Sequence, residues 1–434
     1  MIYQIIGFFL VYVQIDRITD NQIIRFASIV YMLLLSINAL NKTVSKFPYS
    51  KITFLFYLFV TMNVIAMFRS SGPVATPQNI AYEIVSYLVN TIFIVSTTIQ
   101  LSFRFKIHSW KILMITFFYP IGIYVSLNLL FWVLGIKITN FQVVEEIGKA
   151  VMLSSLGIDM DRVIFPLSGG GLNTYSDFLG AFLVFCLALM AHKKIKFIYL
   201  LMVGLTVVSM LMVDSRSFLI NAALATIAIY FLIKSRFSNY LKYAPIILII
   251  SPFFLLAYLP IIYKSLSAGV LRSTESSDSV DRVIIWGKSA LELTNFKIEH
   301  IFGFGEYGHF GSKVSKQWAY LFTEWANPDY ASPHNTFFSI VFDYGYLGVV
   351  LYFLVIQNSI KSALQIYKAG YTLIAASVLA FWMYYLVSGA TETLDGLYSP
   401  GVIYLFQAAL IISEVYKISS KNIVTQGKTL VVAL

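Results

Sequence analysis

Cysteine occurs once in the 434 residues, at Cys186, so no intrachain disulfide can form. Lying inside an apolar run, it reads as a small packing residue. Charge is scarce as well: Asp, Glu, Lys and Arg make up 12% of the chain, too little to solvate the two or three soluble domains this length would otherwise suggest. The ligand patterns of metal chemistry are missing: there is no His-Glu-x-x-His, no cysteine pair and no acidic cluster at fixed spacing. A phosphate-cradling loop and a dinucleotide fingerprint are missing too, so neither metal nor cofactor is expected. No internal repeat is visible, which argues against the duplicated halves of many secondary transporters.

What the chain has is apolar length. Hydrophobic residues make up 58% and the mean hydropathy is +0.77. Twelve apolar stretches lie roughly at 1–15, 23–40, 50–68, 84–101, 111–134, 174–191, 195–213, 216–233, 243–263, 333–357, 369–388 and 397–416. A spanning helix needs about 20 apolar residues, so the expected fold is an all-α polytopic membrane protein with about 12 transmembrane helices. The first stretch ends in Gln14-Ile15-Asp16-Arg17 with no small-residue cleavage site, and is expected to be a retained helix. The 29 Tyr and 36 Phe suit interfacial belts and lipid-facing surfaces.

Charge is sorted between alternate gaps. Basic residues fill every second one: Lys42, Lys46 and Lys51; Arg104, Lys106 and Lys111; Lys193, Lys194 and Lys196; Lys234, Arg236 and Lys242; Lys361 and Lys368; then Lys417, Lys421 and Lys428. These segments hold 17 of the 31 Lys and Arg but one acid, Glu414, of 21. Short cytoplasmic loops accumulate Lys and Arg, so both termini are expected in the cytoplasm and the acid-bearing loops outside. The positive charge is thus a topology signal, and nucleic-acid binding is excluded as its explanation.

The whole chain, 1–434, reads as one integral membrane domain with two long outward segments. One, 135–173, carries Glu145, Glu146, Asp159, Asp161 and Arg162 and ends in Gly169-Gly170-Gly171. The other, 264–333, lies between helices nine and ten and is the sizeable extramembrane piece. Loops beyond about 15 residues are usually functional or disordered. This one holds Trp286, Trp318 and Trp325, and the spacing of Val283, Trp286, Ala290 and Leu293 predicts short amphipathic helices folded over the outer face.

Three outward pieces carry candidate chemistry. Asp214-Ser215-Arg216-Ser217 sits at a tight turn between spans seven and eight, and ionisable residues at membrane depth are functional candidates; a local Asp214–Arg216 ion pair in a hairpin is the blander account. Arg282 and Trp286 are four apart, on one helix face, though Arg282 also fits a snorkelling cation on an interfacial helix. Ser332-Pro333-His334-Asn335 precedes a span holding Asp343 and Gly345-Tyr346-Leu347-Gly348, which places His334 in the first helical turn; a lone histidine is more often structural. Asp343 lies about 13 Å further along the helix, as an arginine's partner or a bonded polar residue. Together the three suit an anionic glycan carrier: arginine forks grip phosphate, an imidazole accepts protons near neutrality, and aromatic faces suit sugar rings.

On these residues the chain resembles the O-antigen ligase/polymerase superfamily of bacterial envelope glycan assembly. The matching strings are Ser215-Arg216-Ser217, Arg282-Val283-Ile284-Ile285-Trp286-Gly287 and Pro333-His334-Asn335 followed by Asp343-Tyr344-Gly345-Tyr346-Leu347-Gly348, in the family's order; Gly170-Gly171-Leu172-Asn173 is a weaker match. The resemblance implies a metal-independent, inverting glycosyltransferase of the bacterial inner membrane. Its site would face the periplasm and take undecaprenyl-diphosphate-linked oligosaccharide as donor and acceptor. It implies Arg216 and Arg282 on the diphosphate and His334 as acceptor of the hydroxyl proton. Asn335, Trp286 and Arg272 join as substrate contacts, and Asp214, Asp343 and Glu324 as supporting acids; members often have Glu at the place of Asp343. Polymerisation of repeat units is preferred over ligation to lipid A-core, the two differing in acceptor. Membrane lipids and a chain-length regulator protein are the partners it implies. A non-enzymatic flippase for the same lipid-linked glycan is the alternative of another class; it would need charge in a central cavity and two similar halves.

Overall fold

The computed structural model describes residues 1–19, 21–43, 51–72, 76–105, 110–136, 149–168, 171–192, 196–234, 236–266, 275–323, 327–394 and 402–417. Arg272, Glu324 and Trp325 lie outside them. The described secondary structure is helical, with one isolated bridge between Lys149 and Asp161. The principal helices are α1 (Ile2–Val13), α2 (Gln22–Thr43), α3 (Lys51–Phe68), α4 (Pro77–Arg104), α5 (Lys111–Val133), α6 (Gly171–His192), α7 (Phe197–Val213), α8 (Arg216–Lys234), α9 (Ile246–Leu266), α10 (Glu275–Thr294), α11 (Thr336–Lys368), α12 (Thr372–Ser388) and α13 (402–417).

The sequence predicts twelve crossings. Among the described residues, five helices, α2, α4, α5, α6 and α11, are long and apolar enough to cross a membrane by length and composition, six further apolar helices are shorter, and α13 follows them. Residues such as Ile2, Phe26, Phe68, Val133, Phe197 and Leu347 expose large apolar side chains, a surface suited to lipid and costly in water. This is the build of a polytopic membrane protein.

Inside the bundle, α12 packs against α6, α8 and α11, and α6 packs against α8. Phe185 of α6 stacks on Phe381 of α12 at 5.4 Å, and Phe117 of α5 meets the same ring at 4.6 Å. Pro120 in α5 has no N–H to give the Thr116 carbonyl, and the helix widens into a π turn over Met114–Phe118. The Tyr12 hydroxyl of α1 donates to that carbonyl instead, at 2.9 Å. A backbone acceptor that proline would have left unpaired in an apolar core thus becomes a bond between helices.

The helix α11 is broken at Gly345 (φ 71°, ψ −174°), where a left-handed φ favours glycine. At the break the loop 303–308 docks: Phe304 N–H donates to the Phe342 carbonyl at 2.7 Å, Gly305 N–H to the Asp343 carbonyl at 3.2 Å, and Gly308 N–H to Asp343 Oδ1 at 2.7 Å. A Cβ on Gly345 would strike the Ile301 carbonyl. Gly345→Ala is therefore expected to destabilise the protein by about 3 kcal/mol, read as a fall in midpoint on thermal unfolding in detergent; an unchanged midpoint would show that the break carries no strain.

Candidate functional site

Helix α10 lies against the segment leading into α11. Trp286 is 1% exposed, and its indole N–H donates to the Pro333 carbonyl at 3.0 Å and the His334 carbonyl at 3.3 Å. Trp318, fully buried, donates to the Ala331 carbonyl at 3.1 Å. Two indoles thus hold residues 331–334 by their backbone. Buried indoles usually find such acceptors.

The approach to α11 also differs from expectation. The helix begins at Thr336 with Asn335 as N-cap, its Oδ1 accepting from Phe338 N–H at 3.2 Å. His334 therefore precedes the cap instead of lying in the first turn, and has a left-handed φ of 46°. Asn335 Nδ2 donates to the Ala390 carbonyl at 2.8 Å, and the residue is fully buried. Both ends of its amide are engaged by the backbone, which fixes the turn that carries His334. His334 stays partly exposed, with Phe322 stacked on its ring at 6.1 Å.

What His334 faces is an acid that the sequence reading did not single out. Glu392, in the segment after α12, is 4% exposed and bridges two candidate residues. Its Oε1 accepts from Arg282 Nη2 at 2.6 Å, and its Oε2 lies 3.5 Å from His334 Nδ1. Arg282 Nη1 donates to the Thr391 carbonyl at 2.7 Å. Burial alone would raise the Glu392 carboxyl, but the Arg282 guanidinium and His334 outweigh it and hold the group below its ordinary value. The backbone around Glu392 is tied to α11: Thr336 N–H donates to the Gly389 carbonyl at 2.9 Å, Thr336 Oγ1 to the Glu392 carbonyl at 2.8 Å, and Leu394 N–H to Thr336 Oγ1 at 3.0 Å. The one local signal for Glu392 was an acid just past the outer end of an apolar run.

A second histidine lies nearby. Burial pushes His309 down to about 4; the Tyr330 carbonyl, 3.2 Å from its Nε2, opposes this, and the charge of His334 adds to it. His309 is accordingly neutral near pH 7.

The structure does not bring Arg216 into direct contact with this group. Its Nε lies 3.7 Å from Asp214 Oδ1, a residue with φ 59° that closes α7. Asp214 Oδ1 also accepts from Met152 N–H at 3.1 Å, and Arg162 Nε donates to the Val213 carbonyl at 3.0 Å. The turn thus has the local ion pair of the blander account, braced by the segment 149–168. The helix it opens nonetheless reaches the site: five residues on, about 7.5 Å along α8, Asn221 Nδ2 donates to Thr391 Oγ1 at 3.4 Å. Asp343, offered as a supporting acid, is the buried anchor of the loop 303–308 described above, the second of the two roles left open for it. Arg216, Arg282 and His334 are each partly solvent-exposed.

Residues 200–353 match the protein family described as O-Antigen ligase. The matched segment runs from within α7 to within α11, takes in Arg216, Arg282 and His334, and stops short of Glu392. No curated protein matches the chain. Over residues 200–353, about a third of the chain, the likeness is to the O-antigen ligase/polymerase superfamily.

Proposed function

We propose that the protein is a metal-independent, inverting glycosyltransferase that polymerises undecaprenyl-diphosphate-linked repeat units at the periplasmic face of the bacterial inner membrane. Its chain would cross twelve times with both termini in the cytoplasm. The observation that carries the reading is the Glu392 carboxylate bridging Arg282 and His334. A carboxylate at Nδ1 fixes the tautomer and leaves Nε2 with its lone pair as the base. Nε2 takes the proton of the acceptor hydroxyl as its oxygen attacks the anomeric carbon. The bond from that carbon to the diphosphate breaks, and the carrier leaves as undecaprenyl diphosphate. A diphosphate is a good leaving group, so no general acid is needed, and in-line attack inverts the carbon. Arg282, joined by Arg216 at the start of α8, meets the charge that grows on the diphosphate oxygens, where oriented donors lower a barrier most directly. The remaining exposed aromatic and polar groups of the loop 264–333 are the acceptor's ground.

The ligase reading, transfer to lipid A-core, is favoured by the description of the matched family; it uses the same donor chemistry. Deleting the gene in source cells separates the two on a gel that resolves single repeat units. Polymerase loss leaves lipid A-core with one repeat, whereas ligase loss leaves bare lipid A-core and long glycan stranded on undecaprenyl diphosphate. The first pattern is expected; the second would overturn the polymerase reading.

A further inference from the structure

The loop 303–308 docks beside the outer end of α3, where Ser71 N–H donates to the Glu306 carbonyl at 3.0 Å. Starting beyond Ser71 and running for 28 residues, about 40 Å, α4 therefore ends at Arg104 on the face opposite His334. There, with the start of α1 and the end of α2, it lines an open cleft of about 120 Å³. Lys42 and Arg104 stand at this cleft, and none of its lining residues is acidic. Its floor is polar and incompletely satisfied. Gln4, 9% exposed, donates through Nε2 to Gln100 Oε1 at 2.9 Å, while Gln4 Oε1 and the Oγ1 of fully buried Thr97 have no hydrogen-bond partner.

We propose that this cleft binds the headgroup of an anionic glycerophospholipid of the phosphatidylglycerol type, from the leaflet opposite the candidate site. Two cations without an acid suit one phosphodiester. Buried acceptors such as Gln4 Oε1 need donors, which the glycerol hydroxyls of that headgroup supply. A lipid is favoured over free phosphate because the cleft adjoins exposed apolar side chains. Ile2 of α1, Leu34 and Ile37 of α2 and Phe103 of α4 are all exposed, and Leu34 lies four residues before Asn38, a lining residue of the cleft. Acyl chains would run along these residues while the phosphate enters the cleft. The bound lipid would join α1, α2 and α4 at a point where they share no ion pair among the described residues.

Native mass spectrometry of the purified full chain, given equal amounts of dioleoylphosphatidylglycerol and dioleoylphosphatidylcholine, tests this. Retention of phosphatidylglycerol is expected to exceed that of phosphatidylcholine by about tenfold. Lys42→Gln with Arg104→Gln should bring the two lipids to parity, and Lys361→Gln, on α11 and away from the cleft, should leave the preference intact. Equal retention by the unaltered protein, or equal loss in the Lys361 variant, would overturn the proposal. Displacement of the lipid by millimolar inorganic phosphate would make the cleft a phosphate site and overturn it as well. Should the double variant fail to fold, Gln4→Leu gives an independent reading: it should abolish a preference for phosphatidylglycerol over phosphatidic acid, which lacks the glycerol hydroxyls, and a preserved preference would sink the assignment.

Discussion

Replacing Glu392 by Gln is expected to lower the rate of glycan transfer about a hundredfold, the scale on which outer partners of a working histidine act, with the protein still folded. The substitution keeps shape and removes charge. Glu392 holds Arg282 through one oxygen and faces His334 through the other, so its loss acts on both: the imidazole loses the acceptor that fixes its tautomer, and the guanidinium keeps the Thr391 carbonyl but not its counter-ion. His334→Ala, which removes the base itself, should abolish transfer and leave binding of the lipid-linked donor largely intact. The comparison is made with purified protein and lipid-linked repeat units, alongside thermal unfolding in detergent. Near-normal turnover in Glu392→Gln would show that the bridge is scaffolding alone.

The same carboxylate sets a pH dependence. Its pKa in the folded protein lies below the ordinary 4.5, so the stability and orientation it provides are present above that ordinary value. They are lost as pH falls through the depressed folded one. A buried neutral His309 acts in the same direction at higher pH. With its folded pKa near 4 against an ordinary 6.5, its contribution is full above 6.5 and declines as pH falls from there towards 4. Acidification from neutrality should therefore loosen the segment around His309 before it breaks the Arg282–Glu392 pair.

The apolar runs and the sorted charge made the helical membrane architecture legible, because a bilayer demands long uncharged helices whatever their packing. Arg282 and His334 were legible because each sits in a compact string of residues. Glu392 was not: it meets Arg282 across 110 residues of chain, and nothing local marks an acid after an apolar run as the partner of an imidazole. Asn335, Trp286 and Asp343 stand in recognisable strings too, and each bonds to main chain: Ala390 and Phe338 for Asn335, Pro333 for Trp286, Gly308 for Asp343. A local pattern identifies a polar residue but not which main-chain group satisfies it, since that depends on how distant segments pack.

Arg282→Lys is the second large effect, an expected loss of about a hundredfold to a thousandfold, the range for removing one oriented donor from a developing anion. A lysine ammonium carries the charge but cannot hold a carbonyl and a carboxylate in a planar fork while presenting further N–H groups to a diphosphate. Because the interaction grows with the leaving group's charge, the loss should fall on kcat more than on KM. Arg216→Lys should also lose most activity, but through the diphosphate alone, since Arg216 is paired with Asp214 and not with Glu392. This difference gives a test that single variants do not. Arg282 and Glu392 act as one unit, so the double variant Arg282→Lys with Glu392→Gln should be little worse than either single one. Arg216→Lys with Glu392→Gln should instead come close to the product of the two separate losses. Simple multiplication in both pairs would mean that Arg282 and Glu392 work independently, and the bridged site would have to be abandoned as the unit of catalysis.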